Sequence, residues 1–188
     1  MSIDFRSLDD TWTLFIDRDG VINIEKKGDY IYNWEEFTFY PDTLSTIAFL
    51  SGIFGRIIVV TNQRGVAKGL MTLEDLNRLH NKMCESIALN GGRIDKIYFC
   101  TDFDDDSPCR KPNTGMAVEA QKDFPDIDFS KSVMLGNRQS DMKFGKRMGM
   151  KTIYLKTTHP DGDLADDLVD ETFNHLSEIV MSIKKMRS

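Results

Sequence analysis

The sequence predicts an α/β fold, a doubly wound parallel sheet carried by a single domain over residues 1–188. Three observations predict it. Short, nearly all-apolar runs recur along the chain, as expected of strands buried on both faces. Stretches with helical signals separate those runs, and such alternation implies a parallel sheet with helices on both faces. The composition is that of an ordinary globular chain: 188 residues, 40% hydrophobic and 29% charged. That suffices for a buried core and is too apolar for a disordered chain.

The elements follow in order. An apolar run over 12–16 gives a first strand ending at Asp17. Pro41 and Asp42 open a helix to about residue 54, with proline in its first turn. Residues 56–60, rich in Ile and Val, are the second strand. Thr72 caps the next helix, with Asp75 three residues on as an imperfect capping box. Asn90-Gly91-Gly92 ends that helix. A third strand covers 94–99, and Asn113 or Thr114 caps a short helix to 124. The fourth strand, 132–135, stops at Gly136. A helix over 140–148 ends at Gly149, a fifth strand covers 152–155, and an amphipathic helix covers 175–186. Asp104-Asp105-Asp106 reads as a solvated acidic loop, with metal binding as the alternative.

Charge and cysteine usage narrow the partners. Thirty acidic and 24 basic residues give a net charge of −6, which disfavours nucleic acid and anionic membranes as partners. No stretch approaches the ~18 apolar residues of a membrane span, and residues 1–10 lack an apolar signal core. Cys84, Cys100 and Cys109 are too few for a disulfide framework, and a reducing cytoplasm fits them better. Cys84 lies inside a helix and reads as a small buried hydrophobe. No long apolar seam points to an obligate dimer, so a monomer is expected.

In a sheet of this kind ligands bind at the carboxyl ends of the strands. The first strand ends in Asp17-Arg18-Asp19-Gly20, the second in Thr61-Asn62-Gln63-Arg64. Arg110-Lys111-Pro112 follows the third, and Gly136-Asn137-Arg138 with Asp141 follows the fourth. Each segment alone has an ordinary reading: a turn, a polar loop, a solvated basic pair, an acidic helix start. Together they set Asp, Asp, Thr, Lys and Asp at four successive strand ends.

That ordered set, over roughly residues 14–156, resembles the haloacid dehalogenase (HAD) superfamily of aspartate-nucleophile phosphatases, which implies a Rossmann-like sheet. The resemblance implies Asp17 as nucleophile and Asp19 as general acid and base. It implies Thr61 as donor to the phosphoryl group and Lys111 as the charge offsetting Asp17 and phosphate. It also implies Mg2+ held by Asp17, Asp19, Asn137 and Asp141. A dual acid–base role asks of Asp19 a pKa near the working pH. Only 43 residues lie between Asp17 and Thr61 and 49 between Thr61 and Lys111. Each gap already holds a helix and a strand, so no separate cap domain is expected.

The loops resemble those of the D-glycero-D-manno-heptose 1,7-bisphosphate phosphatases and the related histidinol-phosphatases. The segments are Asp17 to Asn23, Gly28-Asp29-Tyr30, Phe37 to Pro41, Asn62 to Gly69 and Cys109 to Met116. Thr61-Asn62-Gln63-Arg64-Gly65-Val66-Ala67-Lys68-Gly69 favours the heptose enzymes. The resemblance implies removal of the C7 phosphate from a small sugar phosphate, with Arg110 gripping the retained C1 phosphate. Glu25, Lys26, Lys27, Gly28, Asn62, Gln63, Arg64 and Arg138 complete the substrate contacts; surface charge is the ordinary reading of Arg64, Lys68 and Arg138. Two departures stand out. Asn137 replaces the usual Asp of the fourth motif, which keeps a catalytically weak phosphosugar-binding protein as an alternative. Zinc is not expected: relatives bind it with Cys-x-His and Cys-x-Cys, whereas here Cys100 and Cys109 are two thiols, short of four ligands.

Overall fold

The computed structural model describes residues 2–159 and 164–187. Six parallel strands form one sheet: β1 (Thr13–Ile16), β2 (Arg56–Asn62), β3 (Lys96–Cys100), β4 (Ser132–Gly136), β5 (Lys151–Leu155) and β6 (Glu171–Phe173). Their order is β3-β2-β1-β4-β5-β6, with β1 central between β2 and β4. The helices are α1 (Thr43–Ser51), α2 (Leu73–Leu89), α3 (Gly115–Asp123), α4 (Gln139–Arg147) and α5 (Leu176–Arg187). The chain leaves β1 in one direction to β2 and β3, then returns to β4 on the other side. That reversal opens a crevice at the carboxyl ends of β1 and β4.

Alternation along the strands builds two cores. Leu14, Ile16, Ile57, Val59, Val133 and Leu135 pack on one face with α1, α2 and α5, through Ile47, Leu79 and Ile179. Phe15, Ile58, Val60 and Met134 pack on the other with α3 and α4, through Met116, Ala120 and Phe144. Both faces of the central strands are buried, which is why those strands read as continuous apolar runs.

Differences from the sequence reading are local. Pro41 lies outside α1, and Asp42 is its N-cap, with Asp42 O accepting from Thr46 N at 2.9 Å and no side-chain cap bond. The two residues form a turn closed by Thr43 N donating to Tyr40 O, with Asp42 at φ 62°, as the third residue of a type II turn requires. Strand β6 was not foreseen: three residues at the sheet edge carry too little apolar pattern. The Thr72–Asp75 box forms fully, each side chain bonding the other's backbone N–H. Thr114 caps α3 without a side-chain hydrogen bond. Cys84 is half-buried against the first core. Cys100 and Cys109 are joined in a disulfide. The sequence reading left them as thiols, because adjacency across a nine-residue separation depends on how the loop after β3 turns back. Among the described residues no helix is long and apolar enough to cross a membrane, and no separate cap stands over the sheet.

Candidate active site

A cavity of about 480 Å3 opens at the carboxyl edge of the sheet. Asp17, Asp19, Thr61, Asn62, Arg110, Lys111, Arg138 and Asp141 line it, as do Glu25, Lys26 and Gly28 from the loop after β1. Residues from four strand ends thus converge in the order the sequence predicts.

Lys111 is the hub. Its ammonium lies 2.9 Å from Asp17 Oδ1 and 2.6 Å from Asp141 Oδ1, and donates to Val60 O at 2.7 Å. Asn62 fixes its backbone from both sides, accepting from Lys111 N at 3.0 Å and donating to Lys111 O at 3.1 Å. Burial alone favours neutral lysine, but Asp141 and Asp17 outweigh it and hold the ammonium above its usual range. One ammonium shared by two carboxylates leaves the farther one less well served. Burial pushes Asp17 up to about 7 against the pull of Lys111, with Asp141 and Asp19 adding to the rise.

Asp19 has the opposite environment. Burial favours its neutral form, but the Arg18 charge and hydrogen bonds from Asn23, Gln63 and Arg18 keep its carboxyl below the usual range. The expected pKa near working pH is therefore not a property of the substrate-free site. Arg18, fully buried, donates from Nη2 to Asp19 Oδ1 and Oδ2 at 3.0 and 2.9 Å and to Gln63 Oε1 at 3.1 Å. Its Nη1 lies 3.0 Å from His80 Nε2 on α2. Burial and the Arg18 charge depress His80 to about 3, so Nε2 is the acceptor and Nδ1 carries the proton.

Gln63 is displaced from its expected role. It is fully buried and donates to Asp19 Oδ2 and Thr61 Oγ1, both at 2.8 Å. It aligns two site residues and does not line the cavity. Lys27 is exposed and also lines none of it. Arg64 stands behind the rim, pairing with Asp105 and lying 5.4 Å from the Phe103 ring. Arg138 Nη2 donates to both Glu25 oxygens, at 3.1 and 3.0 Å.

Asn137 is fully buried and outside the cavity lining. Its Nδ2 donates to Thr158 Oγ1 at 3.0 Å, while its Oδ1 is buried without a partner. Gly20 faces that amide: a Cβ there would lie 1.9 Å from Nδ2, so only glycine leaves room. Asp141 Oδ2 accepts from the backbone N–H of Asn137 and Arg138, at 3.2 and 3.0 Å. Carboxylate and amide oxygens such as those of Asp17, Asp141 and Asn137 are hard donors of the kind a divalent cation takes. Two carboxylates already converge on a cation, and the Asn137 carbonyl oxygen is a buried acceptor in need of one.

Sequence reasoning missed Arg18, His80, Asn23 and Asp105. Arg18 carried a signal, a cation between two carboxylates just past a strand. His80 showed only as a histidine on the apolar stripe of α2. In the acidic run all three aspartates are exposed as expected, but Asp105 lines the cavity and pairs with Arg64 and Arg110. Cys100, Cys109 and Asp102 place three ligand-type atoms within 4.8 Å, two of them the bonded sulfurs.

The HAD-hydrolase-like family profile matches residues 108–179. The chain is 34% identical over 176 residues to the D-glycero-alpha-D-manno-heptose-1,7-bisphosphate 7-phosphatase of Campylobacter jejuni, covering 93% of this chain and 97% of the relative. It is 30% identical to the same-named enzyme of Mycobacterium tuberculosis over 177 residues, 94% of this chain and 93% of the relative. The D-glycero-beta-D-manno-heptose-1,7-bisphosphate 7-phosphatase of Pasteurella multocida is 31% identical over 182 residues, 91% of this chain and 97% of the relative. Among solved structures, the D,D-heptose 1,7-bisphosphate phosphatase of B. bronchiseptica, complexed with magnesium and phosphate, superposes with a TM-score of 0.82. It is 26% identical, and the match covers 93% of this chain and 98% of that one. With strand order, site and near full-length similarity in agreement, the chain belongs to the D-glycero-D-manno-heptose-1,7-bisphosphate 7-phosphatase family of the HAD superfamily.

Proposed function

We propose that this protein is a magnesium-dependent phosphatase that removes the C7 phosphate of D-glycero-D-manno-heptose 1,7-bisphosphate through an aspartyl-phosphate on Asp17. One observation carries the reading. The buried Asp17 carboxylate, 2.9 Å from the Lys111 ammonium, lines a cavity that also holds Arg110 as a second cationic group. A carboxylate held beside a fixed cation can attack phosphorus without repelling it, and a second cation suits a second phosphate.

In this reading an Asp17 oxygen attacks the C7 phosphorus and the bond from phosphorus to the sugar oxygen breaks. Asp19 gives its proton to that oxygen. An incoming phosphate dianion adds negative charge beside Asp19 and raises its proton affinity, so its protonation is coupled to substrate arrival. Asp19 then takes a proton from water, which attacks phosphorus and frees Asp17 with release of inorganic phosphate. The Thr61 hydroxyl accepts from Gln63 and keeps its own proton for a phosphoryl oxygen. Lys111 balances the charge on Asp17 and phosphate throughout. Asp17, the Asp19 backbone carbonyl, Asn137 and Asp141 would hold Mg2+, which supplies charge neutralisation at the phosphoryl oxygens. Arg110 would grip the retained C1 phosphate, with Glu25, Lys26, Gly28, Asn62 and Arg138 around the sugar.

The relatives described above are named for heptose bisphosphates of both anomers, and that favours a heptose over histidinol phosphate. The test is phosphate release with and without magnesium, from both anomers of the bisphosphate, histidinol phosphate and an aryl phosphate. Strong magnesium-dependent preference for a heptose anomer supports the reading. Preference for histidinol phosphate would reassign the substrate. No turnover on any would favour a phosphosugar-binding protein. Asp17→Asn is expected to abolish release while circular dichroism stays native; retained turnover would mean another nucleophile.

A further inference from the structure

Asp105 and Arg110 at the cavity rim, with Arg64 behind it, form an ion cluster of which the proposed function uses only Arg110. Asp105 Oδ1 accepts from Arg64 Nη2 and from Arg110 Nε, the latter at 3.2 Å. The three partners differ in burial. The arginine side chains are only 18% and 17% exposed, whereas the Asp105 side chain is 82% exposed. Both guanidiniums also keep a buried N–H without any partner, Nε in Arg64 and Nη1 in Arg110.

The donor set is therefore larger than its present acceptor. One carboxylate oxygen serves two guanidiniums, and two further buried donors are unmet. A single negative charge faces two positive ones. A phosphate monoester dianion matches both counts, with three terminal oxygens and two charges. An exposed carboxylate on a surface loop is weakly held and readily displaced. The Cys100–Cys109 disulfide closes the loop that carries it, so Asp105 stays near the arginines after displacement and competes for them.

We propose that Asp105 is a specificity-determining residue that occupies the Arg64–Arg110 pair in the free enzyme and yields it to the retained phosphate of the substrate. The inference rests on the bisphosphate reading above and extends it. Arg64 becomes a second ligand of the retained phosphate. A substrate whose second phosphate cannot displace Asp105 gains nothing from the arginine pair. The same competition speeds release of the monophosphate product, which still carries that phosphate.

The test is Asp105→Asn, which keeps size and removes charge at an exposed position. The readout is the ratio of kcat/KM for the heptose bisphosphate to kcat/KM for an aryl phosphate, together with inhibition by the heptose 1-phosphate product. The ratio is expected to rise about threefold to tenfold through a lower KM, and the product Ki to fall by a similar factor. A ratio that falls would make Asp105 a support holding the arginines in place, and an unchanged ratio would mean that it does not compete; either overturns the proposal. A wild-type enzyme that does not prefer the bisphosphate to the aryl ester would overturn the substrate reading and this inference together. A preference in the wild type with no response in the variant would sink only the role of Asp105.

Discussion

Arg18 and Asp19, neighbours in sequence, are joined side chain to side chain: one Arg18 nitrogen reaches both Asp19 oxygens, at 3.0 and 2.9 Å. The guanidinium is fully buried and is the counter-ion that keeps Asp19 charged inside the protein. Its Nε also donates to Asp19 Oδ1 at 3.3 Å, and its other bonds run to Gln63 and His80, which ties the loop after β1 to β2 and α2. The orientation of the proposed acid–base group is thus set by Arg18, Gln63 and Asn23, with helix α2 acting through His80 on Arg18.

Replacing Arg18 by Met is expected to lower stability by about 2–4 kcal/mol, because it removes the counter-ion of a partly buried carboxylate and leaves Gln63 and His80 short of a partner. Arg18→Lys restores the charge but not the planar fork. It is expected to recover part of the stability while kcat remains at least tenfold low, with KM little changed. Urea denaturation and steady-state kinetics on both variants check this. Wild-type kcat in Arg18→Lys would show that Asp19 needs the charge and not the geometry.

His80 makes stability depend on pH in a definite direction. Its pKa is about 3 in the folded protein against a usual 6.5. Above 6.5 it is neutral folded and unfolded, so its contribution is fully present. Between 6.5 and about 3 only the unfolded chain takes up the proton, so stability falls as pH falls. His80→Gln keeps an acceptor for Arg18 and removes the titration. Between pH 7 and pH 5 the variant is expected to lose about 2 kcal/mol less stability than the wild type. Equal losses in paired denaturation curves at the two pH values would mean that His80 is protonated in the fold.

Asn137 stands where the family resemblance implies an acidic residue, and its buried Oδ1 has no hydrogen-bond partner. Asn137→Asp adds a carboxylate beside Asp141, with the Thr158 hydroxyl free to turn and donate to it. Without magnesium the variant is expected to be less stable than the wild type, through repulsion among buried carboxylates. With magnesium the order is expected to reverse, and half-saturation to occur at a concentration about tenfold lower, roughly 1.4 kcal/mol. Thermal denaturation across a magnesium titration reads both effects. An unchanged titration would place the Asn137 side chain away from the cation.

The cavity lining was legible in the sequence where it is local to strand ends. Asp17 and Thr61 sit at the ends of apolar runs, and apolar runs are readable without knowing the fold; Asp141 comes one helical turn past such a run, and Lys111 follows only after the polar loop beyond β3. The supports of those residues were less legible, because the direction in which Arg18 and Gln63 turn depends on the fold, and His80 and Asp105 come from elsewhere in the chain. Gln63 looked like a substrate contact, since polar residues after a strand usually face the crevice. Only the Arg18 position shows that it turns inward. His80 carried a helical-stripe signal indistinguishable from a core position. Asp105 needed the loop after β3 to fold back before it could meet Arg64, which lies 41 residues earlier in sequence. Lys27 shows the converse error: a charged residue beside true lining residues is not itself placed by adjacency.

The loop after β3 sets up the last prediction. Cys100 and Cys109 close it with a sequence separation of nine, and Arg110 and Lys111 follow at once. A cross-link of this length stabilises by about 2–3 kcal/mol, chiefly by restricting the unfolded chain. Dithiothreitol is therefore expected to lower the wild-type Tm by about 5–10 °C and to have no such effect on Cys100→Ser. Reduction also loosens the segment that presents Arg110, and the loss of that fixed cation is expected to outweigh the weaker competition from Asp105, so KM for a bisphosphate is expected to rise while aryl-phosphate turnover changes less. Asp17 and Lys111 keep their other anchors: Lys111 is held by Asn62 and Val60 from β2, not by the loop alone. If reductant lowers turnover of both substrates equally, the disulfide supports the whole site and not the outer subsite. If Tm does not respond, the two sulfurs are unbonded in solution.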